Sequence, residues 1–314
     1  MTTIVWQKKK KLTRLVHFLC GLILSISIVL LFLYSEAVKI KIQSIFAVAY
    51  KSLIPSLFPF MIISAISMHL LCESKESIAE KRENKNRVSH LLLLGCGMVF
   101  GFPIGAKVVC DLYNDNKLSL NEANWYFPLL NQTSFPFVVL VLGRDCLSSF
   151  AHGFLLYACM LLSAFIVFIF GKRKEEDVLK KEKTRENRDF SMVVCIRNAT
   201  QNMLYIVGFL VAFSIPIALT EVCFGGIFSV VVSMMLEISS GCYAIAEYFS
   251  STSLFRIPLL CFCISFGGLC VGAQSKMCIG EAPFSMREYY IRKFLQGTIA
   301  FCLGFCFQFL QNSK

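Results

Sequence analysis

Nine apolar runs alternate with short polar segments along the chain of 314 residues. Several approach the ~20 apolar residues that a helix needs to cross the hydrocarbon core of a bilayer. This pattern predicts an all-α polytopic membrane protein with about eight transmembrane segments, because not every run needs to cross. The runs lie near residues 15–35, 44–71, 89–110, 126–143, 149–171, 202–222, 224–247, 253–275 and 290–311.

The composition excludes an ordinary soluble domain. Apolar residues make up 56% of the chain and charged residues only 16%, whereas soluble domains carry about 25% charged residues. The 15 cysteines include no C-x2-C pair with partner histidines, so we interpret them as small apolar side chains. Neither a metal site nor a cofactor is predicted.

Lysine and arginine concentrate in the N-terminal segment and in the stretches 73–88 and 172–189. Short loops rich in these residues stay on the cytoplasmic side, so the N-terminus and both stretches are predicted to be cytoplasmic. The first run resembles a signal peptide in position, but its length and the spans that follow favour a retained helix. The net charge of +11 then reflects topology, and no nucleic-acid partner is predicted.

Three apolar runs lie between the two internal basic stretches. If both stretches are cytoplasmic, the number of crossings between them must be even. At least one of these runs is therefore predicted to be broken, half-spanning or re-entrant.

Two segments of the chain share a series of features in the same order, which predicts an internal duplication. Glycines that interrupt apolar segments at matching positions of two halves point to the binding site of a transporter. The matched features are Gly101 with Gly268, Gly105-Ala106-Lys107 with Gly272-Ala273-Gln274, Ser119-x-x-Glu122 with Ser285-x-x-Glu288, Asn131 with Gln296, and Thr133 with Thr298.

Lys107 and Asp111 interrupt the first of these segments. They are four residues apart and share a face if the segment is helical. A charge at the bilayer centre costs about 2.5–3.5 kcal/mol, so a polar cavity is one interpretation. The other is a segment that ends near the interface, with Lys107 reaching the headgroups and Asp111 beginning a loop.

Two further polar features lie at membrane depth. Asn131, Gln132, Thr133 and Ser134 precede Pro136, which breaks a helix, and they either surround an anion or form an ordinary loop. Glu237 follows an apolar run and precedes Ser239. It either couples a proton or cation, hydrogen-bonds substrate, or lies at an interfacial helix end.

Four stretches resemble sporulation integral membrane proteins of the YlbJ type, within the wider nucleoside-recognition, or Gate-domain, membrane proteins. They are SLIPSLFPFMIIS (52–64), GFPIGAKVVCDLY (101–113), NQTSFPF (131–137) and SFGGLCVGAQS (265–275). The resemblance implies two Gate-like repeats with broken or re-entrant helices, at 44–171 and 190–314. Residues 1–43 would form the N-terminus and first transmembrane helix, and 172–189 a cytoplasmic linker.

The resemblance also implies a carrier or facilitator for a small organic anion, with dipicolinate during sporulation as the candidate. Lys107 and a helix dipole would neutralise a carboxylate, polar side chains would hydrogen-bond it, and Glu237 would couple a proton. The implied substrate-binding residues are Gly105, Lys107, Asp111, Asn131, Gln132, Thr133, Ser134, Glu237, Ser239, Gly272, Gln274 and Ser275.

Other functions stay open at this point. The chain could be a non-transporting membrane assembly factor in spore maturation, or a nucleoside-type permease. An enzyme is not predicted, because no phosphate-binding loop, nucleophile elbow or H-E-x-x-H motif is present. The expected surroundings are a bacterial cell membrane, including the forespore membrane, with a homo-oligomer or other sporulation membrane proteins as protein partners.

Overall fold

The computed structural model describes residues 25–73, 101–114, 117–170 and 191–312, together with Gly21 and Gly95. Every regular element in this part is helical and none is a strand, which confirms the all-α class. The basic segments at 8–14, 75–87 and 172–189 lie outside the described residues, so their cytoplasmic location stays a prediction.

The helices are numbered here in chain order, after a helical stretch at 25–33. They are α1 (Ser35–Val48), a π-helical turn (Ala49–Leu53), α2 (Ile54–Glu73), α3 (Ile104–Asn114), α4 (Leu120–Leu130), a π-helix (Pro136–Cys146), α5 (Phe150–Phe170), α6 (Met192–Cys223), α7 (Gly226–Leu236), α8 (Ile238–Tyr248), α9 (Arg256–Phe266), α10 (Gly268–Ile279) and α11 (Met286–Asn312).

Four segments of the described part are long and apolar enough to cross a membrane: Phe150–Phe170, Met192–Cys223, Arg256–Ile279 and Met286–Leu310. A bent pair, Ser35–Leu53 with Leu57–Ile63, makes a fifth if it is counted as one span. The described residues thus support a multi-pass protein with four or five candidate spans. The remaining spans of the predicted eight stay a prediction.

Two pairs of helices are too short to cross. α7 and α8 have 11 residues each, or about 16 Å, against a hydrocarbon core of about 30 Å. A methyl group at Gly241 of α8 would lie 2.5 Å from the Cα of Met234 in α7. Because these residues flank Glu237 and touch, the chain reverses at Glu237 and the pair forms a hairpin.

The second pair is α3 with α4, also of 11 residues each. Gly105, near the start of α3, packs on the backbone of Leu130, the last residue of α4. The two helices are therefore antiparallel. They lie in the region where the parity of the basic stretches predicts a half-spanning segment.

Close packing of α11 on α9 fixes the centre of the molecule. Gly297 of α11 faces the ring of Phe262, and Gly304 faces Cys261 and Pro258. Small residues at such positions let two membrane helices approach closely. α5 packs against both helices, so the three form a rigid frame beside the half-length pairs.

The two segments that share sequence features in the same order have similar local geometry. Gly101 and Gly268 have φ of +71° and +73°; Gly101 lies three residues before α3, and Gly268 is the first residue of α10. After the turn that follows, Ser119 and Glu122 form a complete capping box. In the second segment, Ser285 Oγ accepts a hydrogen bond from the backbone N–H of Glu288 at 3.3 Å.

We expect Gly101→Ala and Gly268→Ala to destabilise the protein strongly. Their positive φ costs a side-chain-bearing residue about 1–2 kcal/mol. Overlap adds about 1–3 kcal/mol, because the methyl groups would lie 2.6 Å from Ser134 N and 2.9 Å from Leu236 O.

Gly208→Ala in α6 is the control, because nothing lies within 4 Å of its Cβ position. It should leave the stability unchanged or raise it by up to about 1 kcal/mol. Thermal unfolding of the purified variants in detergent measures the difference. Equal melting temperatures for the three variants would contradict the packing described here.

Candidate functional site

The chain is not helical between α4 and the π-helix that begins at Pro136. This break contains Asn131, Gln132, Thr133 and Ser134, which are all buried with 0–3% of their surface exposed. Backbone groups freed by a break at membrane depth must find partners inside the protein. The carbonyl of Gln132 accepts from the backbone N–H of Phe102 at 2.8 Å, so the predicted polar cluster is a packed element.

The side chain of Gln132 joins a buried group with Gln296 and Lys293 of α11. Lys293 Nζ donates to Gln132 Oε1 at 3.1 Å and to Gln296 Oε1 at 2.9 Å. Gln296 Nε2 donates to Gln132 Oε1 at 2.7 Å. Both amide oxygens thus face the ammonium. We call these three residues the lysine–glutamine cluster.

A contact with α5 indicates how deep in the membrane the lysine–glutamine cluster lies. Gln296 Nε2 also donates to the backbone carbonyl of Met160 at 3.2 Å. Met160 is the central residue of the 21-residue helix Phe150–Phe170. If α5 crosses the bilayer, the cluster lies close to its midplane.

Lys293 lies at this depth without an acidic neighbour in the described part of the chain. Its side chain is 1% exposed, and no described carboxylate lies within 4.0 Å of Nζ. A lysine ammonium has three N–H donors, and the two glutamines accept two. The third donor and the charge suit an anion.

Sequence reasoning missed Lys293. It lies in the apolar run 290–311, three residues before Gln296, which is the counterpart of Asn131 in the predicted duplication. A lysine and a glutamine three apart share a helix face. A lysine and a glutamine on one face of an apolar run could therefore have indicated Lys293 from the sequence.

Asn131 points away from the lysine–glutamine cluster. Its Nδ2 donates to Ser275 Oγ of α10 at 2.7 Å and to the Tyr289 hydroxyl of α11 at 2.8 Å. Its Oδ1 is buried without a partner in the described residues, as is Gln274 Oε1. Thr133 Oγ1 donates to the carbonyl of Ile264 in α9 at 2.6 Å. The break therefore connects to α9, α10 and α11.

Glu237 caps a helix at the tip of the α7–α8 hairpin. It is fully buried, and its two carboxylate oxygens accept from the backbone N–H groups of Ser239 at 2.8 Å and Ser240 at 2.6 Å. The tip rests on Gly268, where a methyl group would lie 2.9 Å from Leu236 O. The geometry assigns Glu237 a capping role, and the predicted part in coupling stays untested.

Lys107 and Asp111 do not join the buried polar residues. Both side chains lie on the exposed side of α3, which agrees with the interfacial interpretation and differs from the expected buried cavity. Gly105 and Gly272 serve close packing, the first on Leu130 and the second on the Tyr290 side chain. Within the described residues, no group of three or more His, Cys, Asp or Glu could hold a metal ion.

Comparison with known proteins gives one informative match. The chain is 23% identical over 253 residues to "Sporulation integral membrane protein YlbJ" of Bacillus subtilis (strain 168), and the match covers 66% of this chain and 61% of that protein. The chain therefore spans less than two thirds of the length of this relative. No family model matches the chain, and no solved structure matches it. The match supports the resemblance to YlbJ-type sporulation membrane proteins and agrees with a multi-pass membrane protein.

Proposed function

We propose that this chain is a membrane carrier for a small organic anion, with dipicolinate as the leading candidate. The observation that carries the proposal is Lys293, a buried lysine in the first half of the candidate span Met286–Leu310. It contacts two amide oxygens, and one of these glutamines bonds Met160, the central residue of α5. A carboxylate of the substrate would accept the third N–H and compensate the charge. A membrane protein rarely keeps an ionisable residue at this depth without a function.

The lysine–glutamine cluster is suited to an anion that enters and leaves. A permanent carboxylate beside Lys293 would neutralise the site, whereas two neutral amides position the ammonium without cancelling its charge. In this proposal Lys293 performs the role that the sequence suggested for Lys107. Asn131 and Gln274 offer buried carbonyl oxygens that would accept from a polar group of the substrate or its water.

The two broken regions support a carrier with two Gate-like repeats. In the first, Gly101 packs on the backbone of the break at 131–134. In the second, Gly268 packs on the backbone at Leu236 and Glu237. A positive-φ glycine seated against a helix break in both halves favours a duplicated unit. Broken helices that meet near the bilayer midplane are typical of secondary transporters.

The relative's printed name links it to sporulation, and we extend that setting to this chain as part of the proposal. The protein would act in the cell membrane or the forespore membrane of a sporulating bacterium. A homo-oligomer or other sporulation membrane proteins would be its protein partners.

We expect Lys293→Gln to abolish transport of radiolabelled dipicolinate into proteoliposomes. Removing a buried charged hydrogen-bond partner costs about 2–5 kcal/mol, so substrate affinity should fall by at least about 30-fold. Lys107→Gln is the matched control, because it removes the same charge from an exposed position. Its uptake should stay within about twofold of the wild-type rate.

The pair of variants separates the alternatives. Loss of uptake in Lys107→Gln with normal uptake in Lys293→Gln would favour the exposed lysine as the anion site. Wild-type protein that takes up neither dipicolinate nor a nucleoside would favour a non-transporting assembly factor. Uptake of the nucleoside alone would favour a nucleoside-type permease.

A second experiment tests the role of Glu237. Asparagine is a good N-cap and alanine a poor one, so Glu237→Asn should retain the fold and Glu237→Ala should lose about 1–2 kcal/mol of stability. If Glu237 only caps α8, the asparagine variant should also transport. A folded asparagine variant that no longer responds to a pH gradient would instead assign a proton to this carboxylate.

A further inference from the structure

The hydrogen bonds made by Lys293 suit a neutral amine. Its Nζ donates to Gln132 Oε1 at 3.1 Å and to Gln296 Oε1 at 2.9 Å. An ammonium has three N–H donors, whereas a neutral amine has two, together with a lone pair that can take up a proton. Among the described residues, these two amide oxygens therefore satisfy the donors of the neutral form and leave the protonated form one acceptor short.

The amide oxygens are held in place by the bonds of the amide nitrogens. Gln132 Nε2 donates to two carbonyls in the last turn of α4 at 2.8 and 2.9 Å. Gln296 Nε2 donates to Gln132 Oε1 at 2.7 Å and to the Met160 carbonyl at 3.2 Å. Because each amide nitrogen is bonded to a backbone carbonyl, each amide keeps its oxygen toward Lys293. A third acceptor must therefore come from elsewhere.

The elements packed around this part of α11 contribute no paired charge to Lys293 in the described part of the chain. The buried carboxylate of Glu237 bonds backbone N–H groups of α8, and the Cys261 thiol of α9 lies against Gly304, eleven residues further along α11. The remaining contacts are neutral: Gln132 at the break, the Met160 carbonyl of α5, the Phe262 ring of α9 and Ser275 of α10.

The titratable neighbours of Lys293 on α11 itself also have other partners. The Tyr289 hydroxyl accepts from Asn131 Nδ2 at 2.8 Å. The Arg292 guanidinium lies 4.2 Å from the centre of the Trp125 ring and is close enough to interact with Glu288. Neither group offers a negative charge to the lysine.

Protonation of Lys293 and binding of an anion therefore favour each other. A lone charge at membrane depth is costly, and a substrate carboxylate would supply both the missing acceptor and the opposite charge. An anion that met the neutral amine would instead face two amide oxygens, which repel it. By linkage, each of the two ligands, proton and anion, then raises the affinity for the other.

We propose that the protein is a proton–anion symporter in which Lys293 takes up one proton with each anion. The inference rests on the proposed carrier function and adds its energy coupling. The amine nitrogen forms one N–H bond with a proton from water on the side of entry, and that proton returns to water when the anion leaves on the other side. The empty carrier then reorients with a neutral amine held by the two glutamines.

Accumulation under a pH gradient tests this coupling. Proteoliposomes with equal potassium on both sides and valinomycin hold the membrane potential at zero. At one proton per anion, an external pH one unit below the internal pH should raise the steady-state accumulation of radiolabelled dipicolinate about tenfold. At equal starting pH, a dye in the lumen should report acidification during uptake. Liposomes without protein correct for acid that crosses the bilayer unaided.

Lys293→Arg separates the charge from the proton transfer. Arginine keeps the positive charge and is not deprotonated in proteins, so the variant should bind the anion and fail to return empty. It should exchange internal unlabelled for external labelled dipicolinate, while net uptake and acidification of the lumen fall to the level of protein-free liposomes. Lys107→Arg, at an exposed position, is the matched control and should retain exchange, net uptake and acidification.

Gln296→Glu gives an independent test that decides the case if the arginine variant is inactive in both assays. A carboxylate of nearly the same shape beside Lys293 would pair with the ammonium permanently. Affinity for dipicolinate should then fall at least about tenfold, and the response to the pH gradient should disappear. Gln201→Glu, an exposed position of α6, is the control for the added carboxylate and should behave as the wild type.

Four results would overturn Lys293 as the proton site. They are wild-type accumulation that ignores the pH gradient, net uptake with acidification in Lys293→Arg, gradient-driven uptake in Gln296→Glu, and loss of the gradient response in Glu237→Asn but not in Lys293→Arg. Failure of the carrier proposal looks different, because the wild-type protein would then show neither uptake nor exchange of dipicolinate at any pH.

Discussion

The break at residues 131–134 is the feature on which the rest of the described structure depends. Four consecutive residues leave the helix at membrane depth, where no solvent can satisfy their backbone groups. The protein satisfies them with its own atoms, chiefly the Phe102 N–H on the Gln132 carbonyl. Gly101 must lack a side chain for this contact to form. The Gln132 and Asn131 side chains, released from any helix, then extend in different directions to α11 and α10. One local interruption therefore positions both polar groups of the candidate site.

In the second half of the chain, different residues satisfy the backbone groups at a helix break. Its break is the single extended residue Glu237, whose carboxylate satisfies the first N–H groups of α8. Gly268 provides the close approach that Gly101 provides in the first half. In the first break the Gln132 side chain bonds both the last carbonyls of α4 and the side chains of α11, whereas in the second the carboxylate bonds the first N–H groups of α8. The two breaks thus have similar glycine contacts but different polar groups, amides in the first and a carboxylate in the second.

Much of the fold was predictable because its signals are local. Apolar runs, the capping box at Ser119 and the break before Pro136 depend on neighbouring residues, and the structure shows each of them. Whether a lysine is buried, in contrast, depends on packing between distant segments and has no local sequence signal. Lys107 and Lys293 both lie in apolar runs, and hydropathy cannot distinguish them. Lys107 is on a face of α3 that is exposed in the described part of the chain. Gly297 and Gly304, in contrast, let α11 pack closely against α9, which places Lys293 beside the break. The number of crossings depends in part on segments outside the described residues.

In the proposed carrier, the charge balance of the buried region favours an anionic substrate. Among the described residues, this region contains one basic side chain, Lys293, and one acidic side chain, Glu237. The carboxylate bonds two backbone N–H groups at a helix N-terminus, where the helix dipole favours a negative charge. Its charge is therefore offset locally, and it makes no salt bridge with Lys293. The ammonium faces only amide oxygens in this part of the chain, which stabilise a cation without neutralising it. In the proposed carrier, an anion would stabilise the protonated form of Lys293, whereas a cation that approached the cluster would be repelled by it. In the proposed carrier, the preference for an anion thus follows from the two helix breaks: the second uses its carboxylate to cap α8, and the first places only amides beside Lys293.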